Sequence, residues 1–263
     1  MKHNLSLLLI VLFFLPALAC GSFTTNSVVG SGNIVTQTID VSQFDRVTLT
    51  GLGDVYLEQG QSESLSVQAD DNLISLLDIK VRGKELTLGT KPNFDLNPSE
   101  SIKYNLTVKD LNSVSLSGSG NFYVGAIKSS DLAVSIHGSG NIDIKDLNTG
   151  NLSIDLNGSG NVAIEGLNAK ALDTSLKGSG DIKLEGNANT QNVTIAGSGN
   201  YLAGNLQTDI ADVSVPGSGD VTIWANDNLK IKVNGSGNIQ YYGKPTIEQN
   251  ISGSGKITSL GEK

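Results

Sequence analysis

The triplet Gly-Ser-Gly occurs nine times in this chain, and eight of the nine copies recur at an almost constant spacing. These eight copies begin at Gly118, Gly138, Gly158, Gly178, Gly197, Gly217, Gly235 and Gly253, so neighbouring copies lie 18 to 20 residues apart. Such a small variation indicates a structural repeat whose insertions and deletions fall in loops. The chain is therefore predicted to stack similar units on one another.

Apolar and polar residues alternate on both sides of each triplet. In one repeat the alternating positions are Leu132, Val134, Ile136, Gly138, Gly140, Ile142 and Ile144. A period of two residues is typical of a β-strand with one face against a core. Both glycines of each triplet share the inward phase, where a missing side chain lets the chain bend. The second glycines are Gly120, Gly140, Gly160, Gly180, Gly199, Gly219, Gly237 and Gly255.

Two all-β arrangements satisfy this pattern. In a parallel β-helix each repeat is one rung, whereas in a hairpin array Ser139 lies at a three-residue turn and Ile136 faces Ile142. The alternation alone does not distinguish them. One repeat buries too little apolar surface to offset its conformational entropy, so the units need neighbours. We favour the parallel β-helix, with rungs of about 18–20 residues, because near-equal rungs stack like residues on like.

The residue that follows each triplet forms a column in the stacked arrangement. Its members are Asn121, Asn141, Asn161, Asp181, Asn200, Asp220, Asn238 and Lys256. Side-chain amides hydrogen-bond along such a stack, and asparagine tolerates turn geometry. A calcium site would need several carboxylate oxygens around one ion, but the rung of Asn200 separates Asp181 from Asp220. The column predicts an amide ladder and no metal site.

The N-terminal part contains one degenerate copy of the repeat, in which Leu52 replaces the serine between Gly51 and Gly53. The pattern degrades between about residues 58 and 115, and residues 92–100 are expected to form a loop. We divide the chain into a signal peptide at residues 1–19, a tether at 20–28, an irregular β-helical half at 29–115, and the regular Gly-Ser-Gly β-helix at 116–260.

The first residues have the character of an export signal. Lys2 precedes an apolar run at residues 5–15 that is too short to span a bilayer permanently. The sequence Ala17-Leu18-Ala19-Cys20 resembles the bacterial lipobox, in which the enzyme cuts before the cysteine and the cysteine is lipidated. Three acyl chains would anchor the protein to a membrane. A freely secreted form is the alternative, because Ala17-Leu18-Ala19 also suits ordinary signal peptidase.

The composition excludes several classes of function. A net charge of −8 disfavours nucleic acid as a partner, because a polyphosphate needs a basic patch. With one cysteine, and His137 as the only histidine after the leader, neither a disulfide framework nor an imidazole or thiolate metal site is expected. We expect no cofactor, no catalytic residue and no enzyme activity. Paired carboxylates for sugar hydrolysis would have to lie among Asp143, Asp155, Glu165 and Asp173, which are more typical of a solvated face.

Outward-facing aromatic residues are the candidate ligand-binding surface. Trp224 and Tyr242 each follow the second glycine of a triplet by five residues, so they should lie one above the other on adjacent rungs. Exposed aromatic pairs bind sugars or proteins. Alternatively, the two rings cover the wall beneath a loop or close the C-terminal end. Tyr56 and Tyr123 also face outward, but the sequence does not show that they are neighbours.

The chain resembles the bacterial family called putative auto-transporter adhesin, head GIN domain, over about residues 29–260. The triplets of residues 118–255 carry the resemblance, together with residues 44–49, 53–57 and 70–73 in the N-terminal half. The resemblance implies a right-handed β-helix in an exported or lipid-anchored envelope protein. It implies adhesion as the role, on a fold similar to pectate lyases but without their catalytic residues.

Together these features favour a non-catalytic binding or adhesion module of the cell envelope, at the outer membrane or cell surface. The expected partners are the membrane, through a lipid anchor, and a glycan or an envelope protein. Two alternatives stay open: a structural or stress-response component of the envelope, and a polysaccharide-active enzyme. The enzyme rests on analogy of fold alone.

The lipid anchor on Cys20 is directly testable. The intact mass of protein extracted from membranes is expected to show a mature chain that begins at Cys20 and carries the acyl additions, because Cys20 is the only cysteine. A mature chain that begins at Cys20 without added mass would contradict the prediction.

Overall fold

The computed structural model describes residues 25–263, which form a β-solenoid with one short helix. The strands are β1 Asn26–Val29, β2 Ile34–Ile39, β3 Arg46–Leu49, β4 Asp54–Gln59, β5 Ser64–Asp70, β6 Leu77–Arg82, β7 Glu85–Thr90, β8 Phe94–Asn97, β9 Lys103–Val108, β10 Ser113–Leu116, β11 Asn121–Ile136, β12 Ile142–Leu156, β13 Val162–Leu176, β14 Ile182–Ile195, β15 Tyr201–Val215, β16 Val221–Val233, β17 Ile239–Tyr242, β18 Thr246–Ile251 and β19 Ile257–Ser259. The helix, α1, is Asp71–Ile74 and follows β5.

The regular half is a stack of parallel rungs. Each position pairs with the equivalent position of the next repeat, as in the column Phe122, Ile142, Val162, Ile182, Tyr201, Val221, Ile239 and Ile257. Ile136 pairs with Leu156 of the next rung and not with Ile142. The hairpin alternative is therefore wrong, and the predicted parallel β-helix is confirmed.

The alternating apolar residues fill the interior. Leu132, Val134 and Ile136 are buried, and so are Ile142 and Ile144 of the next rung. Polar residues between them point to solvent, as the period of two requires. Each rung therefore covers the apolar edge of its neighbour, which supplies the burial that a single repeat lacks.

The triplet glycines are needed because successive turns lie in direct contact. None of the predicted turn glycines has a positive φ, so a left-handed backbone is not the reason for glycine. A Cβ atom on Gly158 would lie far inside van der Waals contact with the carbonyl oxygen of Gly138, and Gly160 bears the same relation to Gly140. Between these glycines, the backbone N–H of Ser159 donates to the Gly138 carbonyl oxygen at 3.1 Å. The missing side chains let one turn rest on the next.

The residues after the triplets form the predicted ladder. Oδ1 of Asn121 accepts from the backbone N–H and the side-chain amide of Asn141, at 3.0 and 3.1 Å. Asn161 donates to Asn141 in the same way, at 3.1 and 2.9 Å. The series continues through Asp181, Asn200, Asp220 and Asn238 to the backbone of Lys256. Aspartate can replace asparagine in this ladder because each side chain mainly accepts hydrogen bonds from the next rung.

A polar network crosses the interior of the later rungs. The Tyr201 hydroxyl donates to Oε1 of Gln191 at 2.9 Å, and Nε2 of Gln191 donates to Oγ1 of Thr208 at 2.6 Å. Thr208 in turn donates to the Trp224 carbonyl oxygen at 2.6 Å. All three side chains are buried. Each bond satisfies a polar group that would be costly to bury alone.

The N-terminal half is irregular because the chain does not follow the order of the stack. Strands β3 and β4 pack on β10 and β11, which confirms the degenerate copy around Leu52. On their other side lie β7 and β9, which come later in the chain. The antiparallel strands β2, β5 and β6 complete this end. After the first rung, formed by β3 and β4, the chain therefore adds β7 and β9 on one side of that rung, and only then adds β10 and β11 on the other side.

The expected loop at residues 92–100 is wrong in its centre. Strand β8 lies within it and pairs in parallel with β1. Phe94 and Leu96 alternate as in a strand and pack on the core, but Pro92 and Pro98 conceal so short an element. Strand β1 begins at Asn26, within the segment that the sequence analysis assigned to a tether.

The ninth triplet, at residues 30–32, is held by acids instead of being stacked as a turn. The buried Asp70 carboxylate accepts from the Gly32 N–H at 2.7 Å and from the Ser99 hydroxyl at 2.6 Å. The Ser99 hydroxyl bond in particular lowers the pKa of Asp70 below its ordinary value, against the opposing effect of burial. Asp71 accepts from the Ser31 hydroxyl at 2.6 Å. Asp70 and Asp71 therefore hold the segment between β1 and β2 against the rest of the fold.

Replacing a turn glycine is expected to destabilise the solenoid. Gly158→Ala places a methyl group against the backbone of the neighbouring turn, and overpacking of this kind costs about 1–3 kcal/mol. Ser159→Ala, at the exposed position beside it, is the matched control and should have little effect. Chemical denaturation of both variants checks this; equal stability of the two would contradict the role given to the glycine.

The amide ladder is expected to depend on its acceptors. Asn141→Ala removes the acceptor for two Asn161 donors and should cost about 1–2 kcal/mol. Asn141→Asp keeps that acceptor, as Asp181 does for Asn200, and should cost less. The free energies of unfolding measure the difference, and an aspartate variant no better than alanine would count against an acceptor ladder.

Candidate functional site

Trp224 and Tyr242 lie one above the other on β16 and β17, in the register that the sequence predicts. Both are half-buried. Nζ of Lys263 lies 5.6 Å from the Trp224 ring centroid and 4.8 Å from that of Tyr242, and it donates to the Gly204 carbonyl oxygen at 2.8 Å. A cation–π contact therefore covers this pair, so a ligand at these rings would have to displace Lys263.

Tyr56 and Tyr123 form a second aromatic pair, which is exposed. They are in register on β4 and β11, with ring centroids 5.2 Å apart and an angle of 20° between the ring planes. The residues are 39% and 40% exposed. The sequence predicts that both face outward, but it does not predict that they are neighbours, because the irregular residues 58–115 separate them in the chain. Both tyrosines lie three places after a glycine, but this shared offset does not show which rung stacks on which.

A groove begins at this pair and runs across the next rungs. The column of Tyr123 continues with Asp143, Ala163 and then Lys183, so short side chains follow the tyrosine for two rungs. The groove has a volume of about 340 Å³, and its lining includes Tyr56, Glu58, Tyr123, Asp143, Lys145 and Glu165. On the side away from Tyr56, the neighbour of Tyr123 in this column is Asp143.

The groove is acidic. Three carboxylates, those of Glu58, Asp143 and Glu165, line it together with one lysine, Lys145. Partial burial, and then the charge of Glu165, raise the pKa of Asp143 above that of an ordinary aspartate. Burial and the charge of nearby Asp54 likewise raise the pKa of the Tyr123 hydroxyl. Asp143 and Glu165 are therefore close enough to interact electrostatically.

The four acids considered in the sequence lie in two separate grooves. Asp143 and Glu165 lie beside the tyrosines, whereas Asp155 and Asp173 line a second depression with Ser153 and Thr174. Asp155 lies 3.9 Å from the ammonium of Lys177. Within residues 25–263, no three His, Cys, Asp or Glu side chains are grouped to hold a metal ion.

Cys20 and the predicted signal peptide lie outside the described residues. In the part of the chain that the structure covers, no helix has the length and apolarity needed to cross a bilayer.

Solved structures of similar proteins share this fold. A protein of Parabacteroides distasonis described as a putative lipid binding protein is 30% identical, with a TM-score of 0.85 over 89% of this chain and 100% of that one. A putative adhesin of the same species is 26% identical, with a TM-score of 0.81 over 89% of this chain and all of the other. A putative adhesin of Parabacteroides merdae is also 26% identical, with a TM-score of 0.78 over 90% of this chain and 100% of its own. No curated protein matches the sequence.

The family described as "Putative auto-transporter adhesin, head GIN domain" matches residues 43–167 and 145–245. The two matches overlap and together cover the first rung and most of the regular half, including both aromatic pairs. The resemblance noted in the sequence is thereby confirmed, and the chain belongs to the head GIN domain family of adhesin-like proteins.

Proposed function

We propose that this protein is a non-catalytic, exported binding module that attaches to glycans through the groove beside Tyr56 and Tyr123. The observation that carries the proposal is the pair of exposed, stacked tyrosine rings at the edge of a groove lined by carboxylates. The adhesin names of its relatives agree with a binding role at a surface.

The groove offers the two kinds of contact that a sugar ring uses. The apolar face of a sugar packs on an aromatic ring, and its hydroxyl groups donate hydrogen bonds to carboxylates. Tyr123 supplies the ring, and Asp143 lies at the next position of the same column. Because both belong to a rigid stack of rungs, little conformational entropy is lost when a ligand binds.

Lipid binding, the role named for one relative, is a less suitable function for this groove. The interior of the solenoid is filled by its own aliphatic side chains, and the groove carries acids at Glu58, Asp143 and Glu165. An acyl chain gains most from a dry, apolar cavity. A purely structural envelope role would predict outward columns without special features, and the tyrosine groove counts against it.

The anchor completes the proposal. Lipidation of Cys20 would hold the chain at a membrane, as a component of the outer membrane or cell surface. The first strand begins at Asn26, so only a short segment separates an anchor on Cys20 from the solenoid. The groove would then lie close to the envelope, where an adhesion module meets its glycans.

Glycan binding is expected to require the tyrosine rings. The mature protein should bind a subset of a glycan array, and Tyr56→Ala and Tyr123→Ala should each weaken binding about two- to tenfold, because an aromatic contact contributes about 0.5–1.5 kcal/mol. Tyr123→Phe, which keeps the ring, should retain most of the affinity.

The other aromatic pair provides the matched control. Trp224→Ala and Tyr242→Ala remove rings of similar size that Lys263 already covers, so they should leave binding unchanged. Loss of binding in these variants alone would move the site to the C-terminal rungs. Absence of binding to every glycan on the array would refute the proposal and direct the search to protein partners.

A further inference from the structure

One of the two aromatic pairs on adjacent rungs already binds a cationic group of the protein. At Trp224 and Tyr242 the occupant is an ammonium group, that of Lys263, which lies within 6 Å of both ring centroids. Its remaining hydrogen bonds go to the Gly204 carbonyl oxygen and to Oδ1 of Asn205. Ring faces carry negative electrostatic potential and attract cations, and nearby oxygen acceptors complete the coordination of the ammonium.

The groove at Tyr56 and Tyr123 repeats this arrangement without a covering lysine. Its rings are exposed, and within residues 25–263 the cation–π contacts involve Lys263 alone. In place of neutral oxygen acceptors it has the carboxylates of Asp143, Glu165 and Glu58. The Glu58 carboxylate lies over Gly125, where a Cβ atom would collide with both of its oxygens. Lys263 also interacts with the charge of Glu185, so at both sites the aromatic pair is accompanied by carboxylate.

The charge balance of the groove points the same way. Three carboxylates and one lysine, Lys145, line the groove. Lys183, on the next rung, also interacts with the charge of Glu165, but its ammonium is paired with Glu185 at 2.8 Å. The lining therefore carries an excess of negative charge within a chain that is itself acidic. Asp143 is partly desolvated there and lies in the field of Glu165. A cationic group on the ligand would relieve the repulsion between these acids, whereas a ligand carboxylate would increase it.

From this complementarity, and resting on the proposed glycan-binding function, we propose that the groove selects glycans that carry a free, protonated amine. The preferred ligand is an amino sugar whose nitrogen is not acetylated. Its ring would pack on Tyr123 and its ammonium group would lie between Asp143 and Glu165. Neutral sugars should bind more weakly, and uronic acids should be the poorest ligands.

Three oligosaccharides of equal length test the proposal: the glucosamine tetrasaccharide, its fully N-acetylated counterpart and tetragalacturonate. Calorimetric titration at low salt, at a pH where the amine is protonated, should show the glucosamine form binding about fivefold more tightly than the acetylated form, the value expected for a partly exposed ion pair. Salt at 0.5 M should reduce the preference, because it screens exposed charges.

Isosteric variants locate the effect. Asp143→Asn and Glu165→Gln should each weaken binding of the glucosamine tetrasaccharide more than binding of the acetylated one, so that the ratio of the two affinities falls. Glu262→Gln, an acid at the C-terminal end that pairs with Lys244, is the control and should change neither affinity. Thermal unfolding of the variants verifies that they fold.

The outcomes separate the two proposals. Equal affinity for the amine and acetylated forms, or a preference that survives both substitutions, would overturn the selection for amines and leave glycan binding standing. Failure of the wild-type protein to bind any of the three, together with a negative glycan array, would overturn both. Tighter binding of tetragalacturonate than of glucosamine would contradict the charge argument directly.

Discussion

The contact between one Gly-Ser-Gly turn and the next governs the rest of this structure. Because a Cβ atom at Gly158 or Gly160 would collide with the carbonyl groups of the preceding turn, the backbones approach closely only where both glycines are kept. That contact sets the register of the whole rung, and the register places apolar side chains in interior columns and asparagines in a ladder. Packing and hydrogen bonding in the regular half therefore follow from the turns.

The same constraint explains which parts of the fold the sequence predicted. A period of about twenty residues relates every position to the one above it, so the parallel pairing, the ladder from Asn121 to Lys256 and the pairing of Trp224 with Tyr242 all follow from counting. Counting fails where the chain order and the stack order differ. The contact between β3 and β7, the pairing of β8 with β1 and the hydrogen bond from Gly32 to Asp70 depend on tertiary packing that no local pattern contains.

The candidate site lies where the irregular N-terminal half meets the regular half. Tyr56 belongs to the irregular half and Tyr123 to the first rung of the regular half, so their stacking required the fold, whereas Asp143 and Ala163 follow Tyr123 by simple repetition. Side chains at outward positions do not pack in the core, so the residue at such a position can change without disturbing the interior. A solenoid of this kind thus builds a binding groove by altering a few neighbouring positions in two columns.

The backward step of the N-terminal half has a consequence for the order of folding. The rung of β3 and β4 is covered on both sides by segments made after it, β7 and β9 on one side and β10 and β11 on the other. A chain emerging from its N-terminus cannot complete this rung until about residue 124 has appeared, the last position of that pairing. Later rungs each need only the preceding one as a template. Completion of the β3 and β4 rung is consequently a slow, non-local step, whereas each later rung forms by contact with the rung beside it.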